Sequence, residues 1–158
     1  MADRDSSRIE LMNIRLAETR DIGELVDFNQ AMALETEGKR LDGETLLNGV
    51  SAVFADDRKG FYVVAEQNET IVGGLMVTYE WSDWRNKWFW WIQSVYIVHE
   101  ERGKGIYRRL YDFVKTAAEH EEVCGFRLYV EHENVNAQRV YSKVGMDESI
   151  YLMFEEKT

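Results

Sequence analysis

Residues 95–110, VYIVHEERGKGIYRRL, decide how the chain is expected to fold, because the pattern of apolar residues changes its period within them. Residues 95–98 are β-branched or aromatic, which is typical of a strand, whereas Ile106 and the apolar residues after it recur at helical spacing. Gly103 and Gly105 lie between the two patterns. The stretch therefore predicts a strand, a glycine loop and a helix, in that order.

The glycine loop is a candidate anion site. The start of a helix carries unpaired backbone N–H groups and roughly half a positive charge, and glycines allow a ligand to approach that backbone closely. Arg102, Lys104, Arg108 and Arg109 add a basic spot to a chain of net charge −10. A pyrophosphate is the expected ligand, and a tight turn with a solvated basic rim is the alternative. The spacing matches neither the dinucleotide fingerprint nor a Walker loop.

Composition limits the remaining classes. A chain of 158 residues, 45% of them hydrophobic, is expected to form one domain over residues 13–158, after a flexible lead of residues 1–12. No apolar run has the length of a signal peptide or a membrane span, so no membrane partner is expected. Cys124 is the single cysteine, which argues against a disulfide or a cysteine-rich metal site and favours the reducing cytoplasm. The acidic balance argues against nucleic acid and favours cationic partners.

The order of elements predicts an α+β fold of three layers. A central mixed sheet, mostly antiparallel with one parallel pair of strands, is expected to have helices on both faces. A polar link at residues 35–42 separates the first two helices, and Asn134 is expected to cap the last helix, which Gly145 ends. The predicted strands are residues 13–17, 61–65, 71–79, 88–98, 126–130 and 150–154.

Two segments carry a resemblance to a known family. The first is Arg102-x-x-Gly105, and the second is Asn134-x-x-Ala137-x-x-x-Tyr141-x-x-x-Gly145-Met146. At this separation and in this order of elements, the pair resembles the GNAT superfamily of acyl-CoA-dependent N-acetyltransferases. The resemblance implies a GNAT-like α/β fold, with the parallel strands splayed around the cofactor. It also implies acetyl-CoA as cosubstrate and no metal.

The resemblance also implies roles for particular residues. Backbone near Val95 would lie beside the pantetheine arm, and Asn134 would lie near the same arm. Tyr141 would lie near the thioester sulfur, where a phenol can protonate the departing thiolate as a general acid. The cofactor-binding residues implied in this way are Val95, Tyr96, Ile97, Arg102, Gly103, Lys104, Gly105, Ile106, Tyr107, Arg108, Asn134 and Tyr141.

No general base carries over from the family, since the two positions that often hold one are Tyr129 and Trp91 here. Glu131, which would share a strand face with Tyr129, and Glu80 are candidates that would act through water. A solvated surface carboxylate is the alternative for both.

The acceptor side is suggested by five tryptophans within residues 81–91. Packing across a hairpin, a dimer seam and an aromatic wall for an ammonium group are the three interpretations. Glu35 and Glu37 in the polar link would add counter-charge. The candidate substrate residues are Glu35, Glu80, Trp81 and Trp91.

The leading hypothesis is an N-acetyltransferase that moves acetyl from acetyl-CoA directly to a primary amine, expected to be a cationic small molecule. A protein amine as acceptor and a homodimer are left open. The competing hypothesis is a module that binds acyl-CoA or a partner protein without turnover.

Overall fold

The computed structural model describes residues 11–158 and contains an open five-stranded sheet. Its strands are β1 (Met12–Leu16), β2 (Phe61–Gln67), β3 (Thr70–Ser82), β4 (Lys87–Ile97) and β5 (Val123–Arg127). They lie side by side in sequence order, with β1 to β4 antiparallel and β4 parallel to β5. The predicted mixed sheet with one parallel pair is confirmed.

Four helices accompany the sheet: α1 (Ile22–Glu37), α2 (Gly43–Ala55), α3 (Ile106–Ala118) and α4 (Val135–Lys143). Leu25 of α1 and Val50 of α2 bury with Tyr62 and Val64 of β2, so α1 and α2 cover one face of the sheet. On the other face, a Cβ added to Gly73 of β3 would lie 3.5 Å from the Ile106 side chain of α3. The predicted helices on both faces are confirmed.

The chain divides into two compact units, of which the first ends at Leu128 and the second begins at Tyr129. The second unit contains α4. Asn134 Oδ1 accepts a hydrogen bond from the Ala137 N–H at 3.2 Å, which is the predicted N-terminal cap. Gly145 follows the helix with φ +94°, a left-handed conformation that favours glycine and ends the helix as predicted.

At the C-terminal end, the strand predicted at 126–130 is present with different bounds, and the strand predicted at 150–154 is wrong. β5 begins and ends earlier than the predicted strand at 126–130, so Tyr129 and Glu131 do not lie on a strand. Residues 150–154 pair with no strand within the part of the chain that the structure describes, and their side chains are 56–92% exposed. A strand is stable only when a neighbour satisfies its backbone groups, and β propensity alone does not supply one.

Two boundaries near the N-terminus also differ from the predictions. The lead at residues 1–12 falls mostly outside the described residues, and Met12 already belongs to β1. α1 continues through Glu37 and ends at Gly38, with φ +63°, so Glu35 lies in the last turn of a helix and not in a link.

Candidate active site

A β-bulge interrupts β4 beside the predicted cofactor site. Gly74 pairs with Tyr96 and Met76 pairs with Gln93, so two residues of β4, Ser94 and Val95, face one residue of β3. Ser94 adopts φ +51°, which a non-glycine residue rarely does. A bulge leaves backbone groups outside the ladder, and strained residues of this kind concentrate at functional sites. The backbone around Val95 is therefore suited to hydrogen bonding with a ligand.

The two parallel strands separate beside the bulge. β5 pairs with β4 only from Trp88 to Trp91, and the last pair is Trp91 with Arg127. Residues 92–97 of β4 continue beyond that pairing. Within residues 11–158, no strand pairs with the edge of β4 that faces away from β3 along the bulge, which is the splay that the fold class predicts.

The glycine loop has the geometry that an anion needs. Gly103 and Gly105 adopt φ +77° and +79°, and a Cβ added to either would meet nothing within 4 Å. Gly105 is the N-cap residue of α3, and no side-chain hydrogen bond caps the helix. Open space in front of an uncapped helix start fits the diphosphate of acetyl-CoA.

The basic residues of the loop differ in their contacts. Arg102 Nη2 donates to Glu35 Oε2 at 2.8 Å, and Arg102 Nε donates to the Ile97 carbonyl at 2.9 Å. Lys104 Nζ pairs with a Glu101 carboxylate oxygen at 3.0 Å. Arg108 is exposed in the first turn of α3, and Arg109 donates to the Met12 carbonyl.

Ile106 and Tyr107 contribute differently from the basic residues. Both side chains are buried, and the Tyr107 ring stacks on Tyr111 with centroids 6.0 Å apart. The backbone of Ile106 and Tyr107, and not their buried side chains, is therefore suited to bind a ligand at the loop.

Glu35 connects α1 to the glycine loop. Besides its ion pair with Arg102, it accepts a hydrogen bond from the Tyr96 hydroxyl at 3.2 Å. The Arg102 guanidinium also lies over the Tyr96 ring, 5.3 Å from its centroid. Burial and the neighbouring Glu35 carboxylate raise the pKa of Tyr96. Glu35, which the sequence predicts to bind the substrate, therefore contacts Tyr96 and Arg102, which it predicts to bind the cofactor.

A cavity of about 450 Å³ lies between α1, α2 and the sheet. Ser94 is one of its lining residues, so the cavity reaches the bulge. Asn29, Asp42 and Gly49 line it from the helical side, and Thr78 from the sheet. Sequence reasoning missed all five, because Ser94 lies in an ordinary β-rich run and the others carry no local signal.

The sheet face that lines the cavity continues beyond it. Trp91 lies opposite Thr78, and Gln93 Nε2 donates to Thr78 Oγ1 at 2.6 Å. Further along, a carboxylate oxygen of Glu80 accepts from Arg127 Nη1 at 2.6 Å and from Trp91 Nε1 at 3.4 Å. Glu80 and Trp91 therefore contact each other on this face, outside the cavity lining.

Trp81 points to the other face of the sheet, because neighbouring strand residues alternate. Its ring packs edge-on against Trp88 with centroids 4.9 Å apart. The structure does not bring Trp81 to the cavity, and hairpin packing accounts for its position.

In the second unit, Tyr141 lies in the last turn of α4 and is half-buried. Burial raises the pKa of its phenol. A phenol carries its proton at neutral pH and can therefore act as a general acid. Glu131 lies in the segment before α4, and its side chain is exposed.

Within residues 11–158, no group of three or more His, Cys, Asp or Glu side chains is arranged to hold a metal ion. None of the helices found there is long and apolar enough to cross a membrane.

The bulge, the separating parallel strands and the glycine loop together form the architecture of an acyl-CoA-dependent acyltransferase. A family model described as the Acetyltransferase (GNAT) family matches residues 24–146. The chain belongs to this family.

Solved structures support the same assignment. A possible acetyltransferase from Clostridium difficile 630 is 45% identical, with a TM-score of 0.86 over 94% of this chain and 99% of its own. A protein from Clostridium acetobutylicum described as a predicted acetyltransferase, solved with acetyl-CoA, is 20% identical, with a TM-score of 0.77 over 92% of this chain and 96% of its own. At 20% identity, the second likeness concerns the fold alone.

A curated relative is the streptothricin acetyltransferase of Escherichia coli, which is 29% identical over 91 residues. The match covers 58% of this chain and 49% of the relative, so the chain spans about half the length of the curated relative that it matches.

Proposed function

We propose that this protein transfers an acetyl group from acetyl-CoA directly to a primary amine. The observation that carries the proposal is Ser94, because this one strained residue belongs both to the bulge and to the cavity lining. A thioester held along the open edge of β4 would then face an acceptor held in the cavity. Backbone of residues 95–97 would bind the pantetheine arm, and the loop at 102–105 would bind the pyrophosphate.

The chemistry requires one acid and one base. A bond forms between the amine nitrogen and the acetyl carbonyl carbon, and the carbon–sulfur bond breaks. The amine gives up one proton to a base, and the thiolate gains one from an acid. We assign the acid role to Tyr141, supported by its position in the family motif and by a phenol that carries its proton at neutral pH.

Two carboxylates are candidates for the base, each acting through water. Glu80 lies on the sheet face that continues from the cavity, whereas Glu131 is exposed before α4. The variants Glu80→Gln and Glu131→Gln separate them. The variant that lacks the base should lose the acidic limb of the kcat profile against pH, and the other should keep it.

The acceptor is proposed to be a cationic small molecule. The chain carries a net charge of −10, and Asp42 lines the cavity. Hydrogen bonding with Thr45 lowers the pKa of Asp42, which further favours the ionised carboxylate. The name of the curated relative makes streptothricin one acceptor to test. A preference for acidic amino acids over cationic amines in a substrate screen would contradict this proposal.

The activity is tested by calorimetry with acetyl-CoA, followed by an assay for free thiol in the presence of a panel of amines. Thiol release that depends on the amine is the expected result. Binding of acetyl-CoA without such release from any amine would instead identify a module that binds without turnover. The cytoplasmic location, the single domain and the homodimer stay predictions.

A further inference from the structure

We infer that the acceptor amine carries an apolar chain or ring, which the cavity between α1, α2 and the sheet binds. This inference rests on the proposed function and names the substrate class of the same site. It differs from the aromatic wall expected from the sequence, since the apolar surface comes from aliphatic residues under α2.

The wall of the cavity is mostly aliphatic. Leu46, Val50 and Val53 approach from α2, and Met76 and the Tyr62 ring approach from the sheet. Val50 is 2% exposed and Tyr62 is 6% exposed, so this wall belongs to the hydrophobic core. An apolar group placed against it loses contact with water, which is favourable in proportion to its apolar area.

Several polar groups of the lining are already bonded within the protein. Asn29 Nδ2 donates to the Leu25 carbonyl at 2.9 Å, and Thr78 Oγ1 accepts from Gln93 at 2.6 Å. Lys59 Nζ pairs with Asp56 at 2.9 Å. A hydroxyl group of a ligand that used these atoms would have to displace the bonds already made, which reduces its net contribution to affinity.

The volume suits a whole small molecule. Ligand sites usually measure about 300–1,000 Å³, and the cavity of about 450 Å³ falls within that range. Because Ser94 lies in the lining, a chain that fills the cavity can keep its amine at the bulge.

A series of linear primary amines from ethylamine to octylamine tests the inference, with ethanolamine and spermidine as polar cationic comparisons. For the wild type, kcat/KM should rise about fourfold with each added methylene until the cavity is full. Equal kcat/KM along the series, or a preference for the polar amines, would overturn the inference and leave the proposed function standing.

Gly49 allows the cavity to be filled from within. It lies in the middle of α2 and lines the cavity, and a Cβ added there would meet nothing within 4 Å. Gly49→Leu should therefore fold and place its side chain in the space that a long amine needs. We expect kcat/KM for octylamine to fall at least tenfold more than kcat/KM for ethylamine.

Gly23→Leu is the matched control, because Gly23 is also an unhindered glycine of an α-helix and does not line the cavity. It should keep the wild-type dependence on chain length. An unchanged ratio in a folded Gly49→Leu protein would place the apolar chain elsewhere and overturn the inference. Wild-type protein that binds acetyl-CoA but acetylates no amine would overturn the proposed function, and the inference with it.

Discussion

The glycine loop and the cavity recognise their proposed ligands by different means. The loop at residues 102–105 is local in sequence and presents backbone, since Gly103 and Gly105 hold left-handed conformations in front of α3. The cavity brings together side chains from two helices and three strands, between Asn29 and Ser94. The proposed site for acetyl-CoA is thus built from backbone, and the proposed site that selects the acceptor amine is built from side chains.

This difference has a consequence for substitutions. Exposed positions of the cavity lining, such as Gly49, can change while the sheet and helices stay in place, whereas Val50 and Tyr62 also belong to the core. A substitution in the loop is tolerated only at a residue that does not have a left-handed conformation, and only if the new side chain stays out of the space proposed for the pyrophosphate. Affinity for acetyl-CoA and selectivity for the amine should therefore respond to separate sets of variants.

The largest effect is expected from Tyr141→Phe, which should change neither the affinity for acetyl-CoA nor the selectivity for the amine. The substitution keeps the ring and removes the hydroxyl that we propose as the acid, so kcat should fall by roughly 10² or more. Acetyl-CoA affinity and the melting temperature should stay close to wild type. Single-turnover acetyl transfer is the measurement, because slow product release would hide the effect in the steady state.

Tyr111→Phe is the control for that substitution. Burial raises the pKa of Tyr111 as well, and this residue packs in α3 against Phe126. Removal of the Tyr111 hydroxyl should leave kcat unchanged. Single-turnover rates within a few-fold of each other for the two variants would remove Tyr141 from the mechanism.

The second effect concerns the loop. Gly105→Val adds a β-branched side chain at φ +79° and in front of the helix start, so acetyl-CoA affinity should fall about tenfold or more through lost hydrogen bonds to the pyrophosphate. Calorimetry with acetyl-CoA measures it. Gly38→Val carries comparable strain, at φ +63°, and also has open space at its Cβ. A similar loss of affinity in both variants would attribute the effect to strain and not to the loop.

The smallest effect is expected at Glu35, which contacts Arg102 of the glycine loop from the last turn of α1. Glu35→Gln removes the charge that holds Arg102, and exposed ion pairs contribute about 0.2–1 kcal/mol. The Glu35 and Arg102 side chains are 41% and 40% exposed. If the released guanidinium turns to the pyrophosphate, acetyl-CoA should bind up to about fivefold more tightly at low salt, with less effect at high salt.

Glu37→Gln is the matched control, since Glu37 pairs with Lys39 in an equally exposed position at the end of α1. It makes the same change in net charge and should not alter the affinity. Weaker binding in Glu35→Gln would show instead that Glu35 holds Arg102 in its binding position.

The sequence predicted those parts of the site that local rules determine. The glycine loop, the Asn134 cap and the stop at Gly145 each depend on a few neighbouring residues, and the structure has all three. The bulge at Ser94 depends on the register between β3 and β4, and no residue of β4 indicates it in the sequence. The ion pair between Glu35 and Arg102 joins residues 67 positions apart, so only the packing of α1 reveals it.

The tryptophans show the same limit. Strand alternation separates Trp81 from Trp91, and their contacts then differ, one ring against Trp88 and the other indole N–H donating to Glu80. The sequence grouped them as one cluster because they are close along the chain. Assigning them to faces requires the pairing of β3 with β4, which composition does not contain.

The exposed residues 150–154 have a consequence for how copies of this protein behave in concentrated solution. Ile-Tyr-Leu-Met-Phe combines apolar surface with β propensity, which favours strand pairing between chains. Asp147 and Glu148 precede the segment, and Glu155 and Glu156 follow it. Acidic residues therefore flank both ends and oppose association between chains. Repulsion between chains weakens with added salt, and the repulsion that comes from net charge is smallest near pH 4.8, the isoelectric point expected from the sequence. Colloidal stability should therefore be greatest well above that pH and at low ionic strength.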